Sequence, residues 1–179
     1  MRTPTRRTVT TAAAGLTGLC AAVLVPTVAA PQAAAHPGPE PHGWVETAWL
    51  TGYSLEDNSP PGTRATSSGR TAGGTGTFDD PITLAVGYDD FAVGTVFYVP
   101  LVRAYFVVED RCGACSDPTD EGDYTIDLWV GSDPDSSCMY EITGVHNVVQ
   151  NAGPGWAVVP RWDELGGDCR LFGETPTPA

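Results

Sequence analysis

The chain has 179 residues, 22 acidic and nine basic, with a formal net charge of −13 at pH 7. All 22 acidic residues follow Ala35, beside six arginines and no lysine, so the segment after Ala35 carries −16. That balance excludes nucleic acid and anionic membrane surfaces as partners, and leaves neutral polysaccharide or a cationic partner.

Residues 1–35 read as an export signal. Arg2, Arg6 and Arg7 form a positive start, Ala12 to Ala30 is small and apolar, and Ala33-Ala34-Ala35 offers an A-x-A cleavage site. Arg6-Arg7-Thr8-Val9 is similar to a twin-arginine signal, with Val9 where Phe is usual; Sec export is the alternative. Leu19 before Cys20 is wrong for a lipoprotein site, so no lipid anchor is expected. The expectation is a secreted, extracellular protein that is monomeric and free of the membrane after cleavage.

The remaining 144 residues are enough for one domain with its own core. They keep four cysteines, Cys112, Cys115, Cys138 and Cys169, and an even count in an exported chain argues for two disulfides. Cys-x-x-Cys is also a zinc or redox spacing, but the second pair lacks zinc-site spacing. Three pairings are possible; the expected one is Cys112–Cys169 with Cys115–Cys138.

Residues 36–43 form a Pro/Gly-rich lead-in. Trp44 to Tyr53 alternates as a first strand. Glu56 to Arg70 is a long loop, and loops of that length are often functional. The glycines of Gly69 to Thr77 mark tight turns, not a phosphate loop, because the Walker lysine is missing. Ile82 to Val86 is a short strand, Tyr88 to Ala92 a helical turn, and Val96 to Val99 a strand ended by Pro100. Asp133 to Thr143 is a short helix, with Asp133 or Asp135 as N-cap and Gly144 as its stop. Val145 to Gln150 is a further strand, and residues 175–179 are a loose tail.

The stretch from Tyr105 to Gly131 organises the rest. Tyr105 to Val108 is a strand that runs into Glu109 and Asp110, and a polar loop then carries both Cys112 and Cys115. Tyr124 to Val130 is a second strand, with Asp127 between Ile126 and Leu128. Side chains alternate across a strand, so Asp127 faces away from those two apolar neighbours. It is either a rim carboxylate bonding backbone amides or a catalytic group. Asp117, Asp120, Glu121 and Asp123 are an alternative calcium loop, although solvated Asp-rich loops are the commoner case. The expected class is mainly β: six or seven short strands closing a barrel, with residues 44–174 as the domain.

The order of Thr71-Ala72-Gly73-Gly74, Leu84-Ala85-Val86, Gly94-Thr95, Tyr98-Val99, Glu109-Asp110 and Ile126-Asp127-Leu128 resembles the 3D domain. That is a six-stranded double-psi β-barrel of bacterial cell-wall proteins, related to lytic transglycosylase A and RlpA-like domains. The segments DNSPPG, GGTGTFDDPITLA and IDLWVG are similar to a group of secreted fungal and actinobacterial proteins. Of the three aspartates that name the 3D family, Asp110 and Asp127 match the second and third. Gly87 stands where the first belongs, with Asp89 and Asp90 nearby but out of register.

Thr51-Gly52-Tyr53 and Ile126-Asp127-Leu128 also resemble family 45 endoglucanases and expansins, in which the same barrel carries the general acid at the position of Asp127. The endoglucanase base belongs at Leu55, with Glu56 and Asp57 just after. The resemblance implies a cell-wall polysaccharide, peptidoglycan or plant-type glycan, as partner. Asp127 is the candidate acid, Asp57, Glu56 or Asp110 the candidate base, and Tyr53 a further catalytic candidate. Trp49, Thr51, Tyr98 and Trp129 are the candidate substrate contacts. No metal or other cofactor is expected. An inverting hydrolase needs its second carboxylate ~6.5–9.5 Å away to activate water, whereas a lytic transglycosylase needs one acid/base only. The competing class is a non-catalytic, expansin-like binding module.

Overall fold

The structure, a computed structural model, describes residues 41–116, 124–132, 137–161, 165 and 169–179. The expected export signal, most of the lead-in, the acidic loop Asp117–Asp123 and the N-caps Asp133 and Asp135 lie outside the described residues. Among the described residues there are six strands: β1 (Trp44–Ser54), β2 (Ile82–Val86), β3 (Val96–Val99), β4 (Ala104–Arg111), β5 (Thr125–Gly131) and β6 (Gly144–Gln150). They close a barrel in the order β1-β5-β2-β4-β3-β6. Two pairs are parallel, β1 with β5 and β2 with β4; the others are antiparallel.

Aromatic and β-branched runs form these strands because their side chains pack on a pleated, half-buried surface. One face of each strand points into the barrel, where Leu50, Leu84, Val86, Phe97, Phe106, Ile126 and Leu128 are fully buried. Burying each such side chain stabilises by about 1.5–3 kcal/mol, so the core is the main source of stability. β4 runs through Glu109 and Asp110, as expected, and one residue further to Arg111. The reason is pairing: Ala85 and Val86 of β2 lie opposite Asp110 and Arg111, so the ladder continues.

Helices are short. The chain after Pro100 is a 3-10 helix, Pro100–Val102, closed by Arg103 in the left-handed region (φ 47°). Residues 88–90 form a turn, where a helical turn was expected. Helix α1 (Ser137–Glu141) packs on β1 at Gly52. A Cβ at Gly52 would stand 2.9 Å from Val130 Cγ1 and 3.2 Å from Met139 Cα, so glycine is what lets the helix approach.

The disulfides differ from the expected pairing: Cys112 bonds Cys115, and Cys138 bonds Cys169. The cause is local. A 3-10 turn, Ala114–Ser116, brings Cys115 back to a Cα–Cα distance of 5.2 Å from Cys112. Residues 175–179 are not loose. Ala157 N–H donates to Thr177 O (2.7 Å), Ala179 N–H donates to Gly155 O (2.8 Å), and Trp156 pairs with Pro178. His146 Nδ1 and the backbone N–H of Asn147 grip the Glu174 carboxylate at 2.7 and 2.8 Å.

Candidate functional site

Strand register assembles the site. Thr51 of β1 lies opposite Asp127 of β5, Asp127 opposite Ala85 of β2, and Ala85 opposite Asp110 of β4. Directly opposed residues share a face, so these four form one row across the barrel wall. The row lies on the opposite side of the strands from Leu50, Leu84, Ile126 and Leu128. Ala85 is the spacer: its methyl leaves open the ground between the two carboxylates. All four residues line a cleft of about 570 Å³, with Trp49, Tyr53, Asp57, Asn58, Arg111 and the Cys112–Cys115 loop.

Asp127 sits at the centre, half-buried, with Thr51 Oγ1 donating to its Oδ1 at 2.7 Å. Burial pushes its carboxyl up to about 6; the Thr51 hydrogen bond opposes that shift, and the charges of Asp57 and Asp110 add to it. A carboxyl in that range holds or gives up a proton near neutral pH, which is what proton transfer to a substrate requires.

Asp110 is differently placed. It is buried, its Oδ1 accepts from the N–H groups of Ser67 and Arg111 (2.8 Å each), and Tyr53 OH donates to Oδ2 at 3.4 Å. Three donors hold it in place, and through Ser67 it pins the long loop to β4. Tyr53 is buried, edge-on to Trp129 at 5.2 Å, and its phenol is pushed far up by burial and by the Asp110 charge. Asp57 is exposed at the rim, its Oδ2 accepting from Ser54 N–H (3.1 Å) and Ser54 Oγ (2.8 Å). Glu56, also exposed, does not line the cleft.

The expected sugar-stacking rings divide. Trp49 lines the cleft. Trp129 and Tyr98 are 0 % exposed and do not, so the expectation for those two is corrected. Trp129 points to the same side as Asp127 but is covered by Tyr53 and by the Arg64 guanidinium, 5.5 Å above the ring. Tyr98 belongs to a separate cluster with Tyr105 and Trp156, and its hydroxyl donates to Ala157 O at 2.6 Å.

Three contributions escape a reading of the sequence. Asn58 is buried and shapes the long loop, its Nδ2 donating to Thr63 O (2.7 Å) and Ala65 O (3.0 Å). Asp90, out of register in the sequence, folds back so that its carboxylate lies in the space a side chain at Gly87 would take. The third is the Cys112–Cys115 loop. Both sulfurs and the Asp127 carboxylate lie within 4.8 Å of one another. With the sulfurs bonded to each other they offer no thiolate, so the trio is not a metal-ligand set in this form. Cys-x-x-Cys was the available signal, but nothing in the sequence brings it to Asp127.

The sequence profile of the DDB_G0273701 N-terminal domain family matches residues 45–170. The chain belongs to that family. Apart from Trp44, the first residue of β1, the profile spans every strand of the barrel, and it takes in all four cysteines of the two disulfides. An uncharacterized protein of that designation from Dictyostelium discoideum is 38% identical over 88 residues, 48% of this chain and 39% of the relative. The match therefore spans about two fifths of that relative's length. No solved structure matches the chain.

Proposed function

We propose that this cleft receives a cell-wall polysaccharide and that Asp127 donates a proton to a glycosidic oxygen, in a protein that works outside the cell. The observation that carries this reading is Asp127 itself. It is a carboxyl raised to about 6, oriented by Thr51, on a row of small and polar residues in an open cleft. Trp49 supplies a ring at the cleft for a sugar face. Asp57 is the better candidate base, because Asp110 is held by three donors. The double-psi form of the barrel, and kinship with 3D and family 45 barrels, belong to the same proposal; the two parallel pairs β1/β5 and β2/β4 support it.

The test is soluble-product release from peptidoglycan, cellulose and xyloglucan. Asp127→Asn is expected to lower it by ~10²–10⁴-fold, the usual worth of a general acid. Wild-type activity should fall as pH rises through about 6, where Asp127 loses its proton. Equal turnover by the variant would remove Asp127 from the chemistry. One observation favours a binding module instead: Leu55, at the position of the endoglucanase base, packs against the core. Saturable glycan binding with no product from any of the three would select that reading.

A further inference from the structure

The Cys112–Cys115 disulfide lies in the cleft, and its surroundings are those of a reacting group. β4 ends at Arg111, and the two residues enclosed by the disulfide, Gly113 and Ala114, are both exposed and line the cleft mouth. Cys112 is half-buried, whereas Cys115 is 4 % exposed. Cys112 is thus the more accessible of the two, although it also packs against the core, and Cys115 is sheltered. The backbone N–H of Cys115 donates to Cys112 Sγ at 3.1 Å, a contact that favours negative charge on that sulfur once the bond is broken. On the other side stands Asp127, with its carboxylate within 4.8 Å of both sulfurs, a gap that one water spans. A disulfide that only braced the fold would need none of these. Nor does it brace much, since it closes a sequence separation of three.

We propose that Cys112–Cys115 is a redox-active disulfide that exchanges with dithiols of polypeptide substrates, and that Asp127 handles the proton of the sheltered sulfur. A substrate thiolate attacks Cys112 Sγ. The Sγ–Sγ bond breaks, and a mixed disulfide joins Cys112 to the substrate. Cys115 leaves as a thiolate and takes a proton from the Asp127 carboxyl. The second substrate thiolate then attacks the substrate sulfur of the mixed disulfide. The substrate disulfide forms, and Cys112 departs as a thiolate beside the Cys115 N–H. Two electrons pass from the substrate dithiol to the protein. A low-molecular-weight disulfide such as glutathione disulfide accepts them in the return step and restores Cys112–Cys115. The groups facing Asp127 during this cycle are Thr51 and Tyr53 from β1, Asp57 from the loop after it, and Asp110 from β4; the Arg111 guanidinium is turned to the Gly87 and Phe91 carbonyls. This activity does not rest on glycan binding; the two readings share Asp127 and the cleft alone.

The first test uses the full chain. It is equilibrated with graded ratios of reduced to oxidised glutathione, alkylated, and each cysteine pair is read by mass. Cys112–Cys115 should open at ratios that leave Cys138–Cys169 closed. A second test follows oxidation of a reduced two-cysteine peptide, with glutathione disulfide as acceptor. Wild type should be at least tenfold faster than Cys112→Ser/Cys115→Ser. Cys115→Ser alone should accumulate the mixed disulfide at Cys112. Asp127→Asn should slow peptide oxidation several-fold at pH 6 and leave it within twofold at pH 8.5, where Asp127 carries no proton in wild type. Opening of both pairs at the same ratio would overturn the proposal without recourse to any variant, as would equal peptide oxidation by the double variant. Opening by glutathione with no peptide oxidation would overturn the polypeptide substrate.

Discussion

The two disulfides of this barrel sit in opposite circumstances. Cys138–Cys169 ties helix α1 to the C-terminal segment across a separation of 31 residues, and Cys138 is fully buried against the core. Cys112–Cys115 spans a separation of three and faces a cleft. On loop-closure entropy alone, the first contributes about 4 kcal/mol and the second about 1.5 kcal/mol. The clasp region collects stabilising features: the long disulfide and the docked C-terminal residues. The cleft region differs: it holds a half-buried carboxyl raised by desolvation, which costs stability, and a bond that adds little. Groups retained at a cost are a mark of function rather than of fold.

That contrast breaks first at the clasp. Cys138→Ala/Cys169→Ala should lose about 4 kcal/mol, roughly 10 °C in melting temperature. A loss no larger than that of Cys112→Ala/Cys115→Ala would erase the distinction between the two bonds. The next largest effect has the opposite sign and lies in the cleft. The folded-state pKa of Asp127, about 6, stands above its ordinary 3.8. The stability tied to its proton is fully present below pH 3.8 and is lost as pH rises through about 6. Asp127→Asn keeps an acceptor for Thr51 and removes that loss. The variant should therefore be up to about 3 kcal/mol more stable than wild type at pH 8 and nearly equal to it at pH 4. Paired melts at the two pH values check it, and a variant less stable at pH 8 would make Asp127 a structural carboxylate.

Smaller effects sharpen the same comparison. Cys112→Ala/Cys115→Ala should cost about 1.5 kcal/mol in denaturant melts. Tyr53→Phe removes one of the three donors to Asp110, at 3.4 Å, and should cost about 1 kcal/mol. A much larger cost would mean that the phenol, rather than the Ser67 and Arg111 amides, fixes the Asp110 carboxylate to which the long loop is tied.

Much of the barrel was legible in the sequence because strand formation is written locally. Ile82–Val86 and Val96–Val99 have the bounds that their apolar runs and Pro100 define. The facing of Asp127 followed from alternation with Ile126 and Leu128. What failed was long-range, apart from the disulfide pairing. Trp49 and Trp129 fall on the same side of their strands by parity, and only the position of Arg64 and Tyr53 decides which ring is covered. Likewise Asp90 reaches the space above Gly87 through a turn that no spacing rule records. Four cysteines allow three pairings, and the choice was made by a 3-10 turn too short to leave a periodic signal. The meeting of Asp127 with Cys112 and Cys115 depends on β5 and β4 flanking β2, a crossover invisible to local pattern.

The crossover also fixes when the fold can exist. β6 is the last strand made, and it pairs with both β1 and β3. A chain still emerging from the ribosome, or cut before Gly144, leaves two strands with unpaired edges and a sheet that cannot close. Open edges of this kind template association with other chains. Most pairings join distant segments, so assembly is slow compared with hairpin-built sheets. The barrel therefore closes only once β6 is present, and fragments cut before Gly144 should aggregate rather than fold as smaller domains.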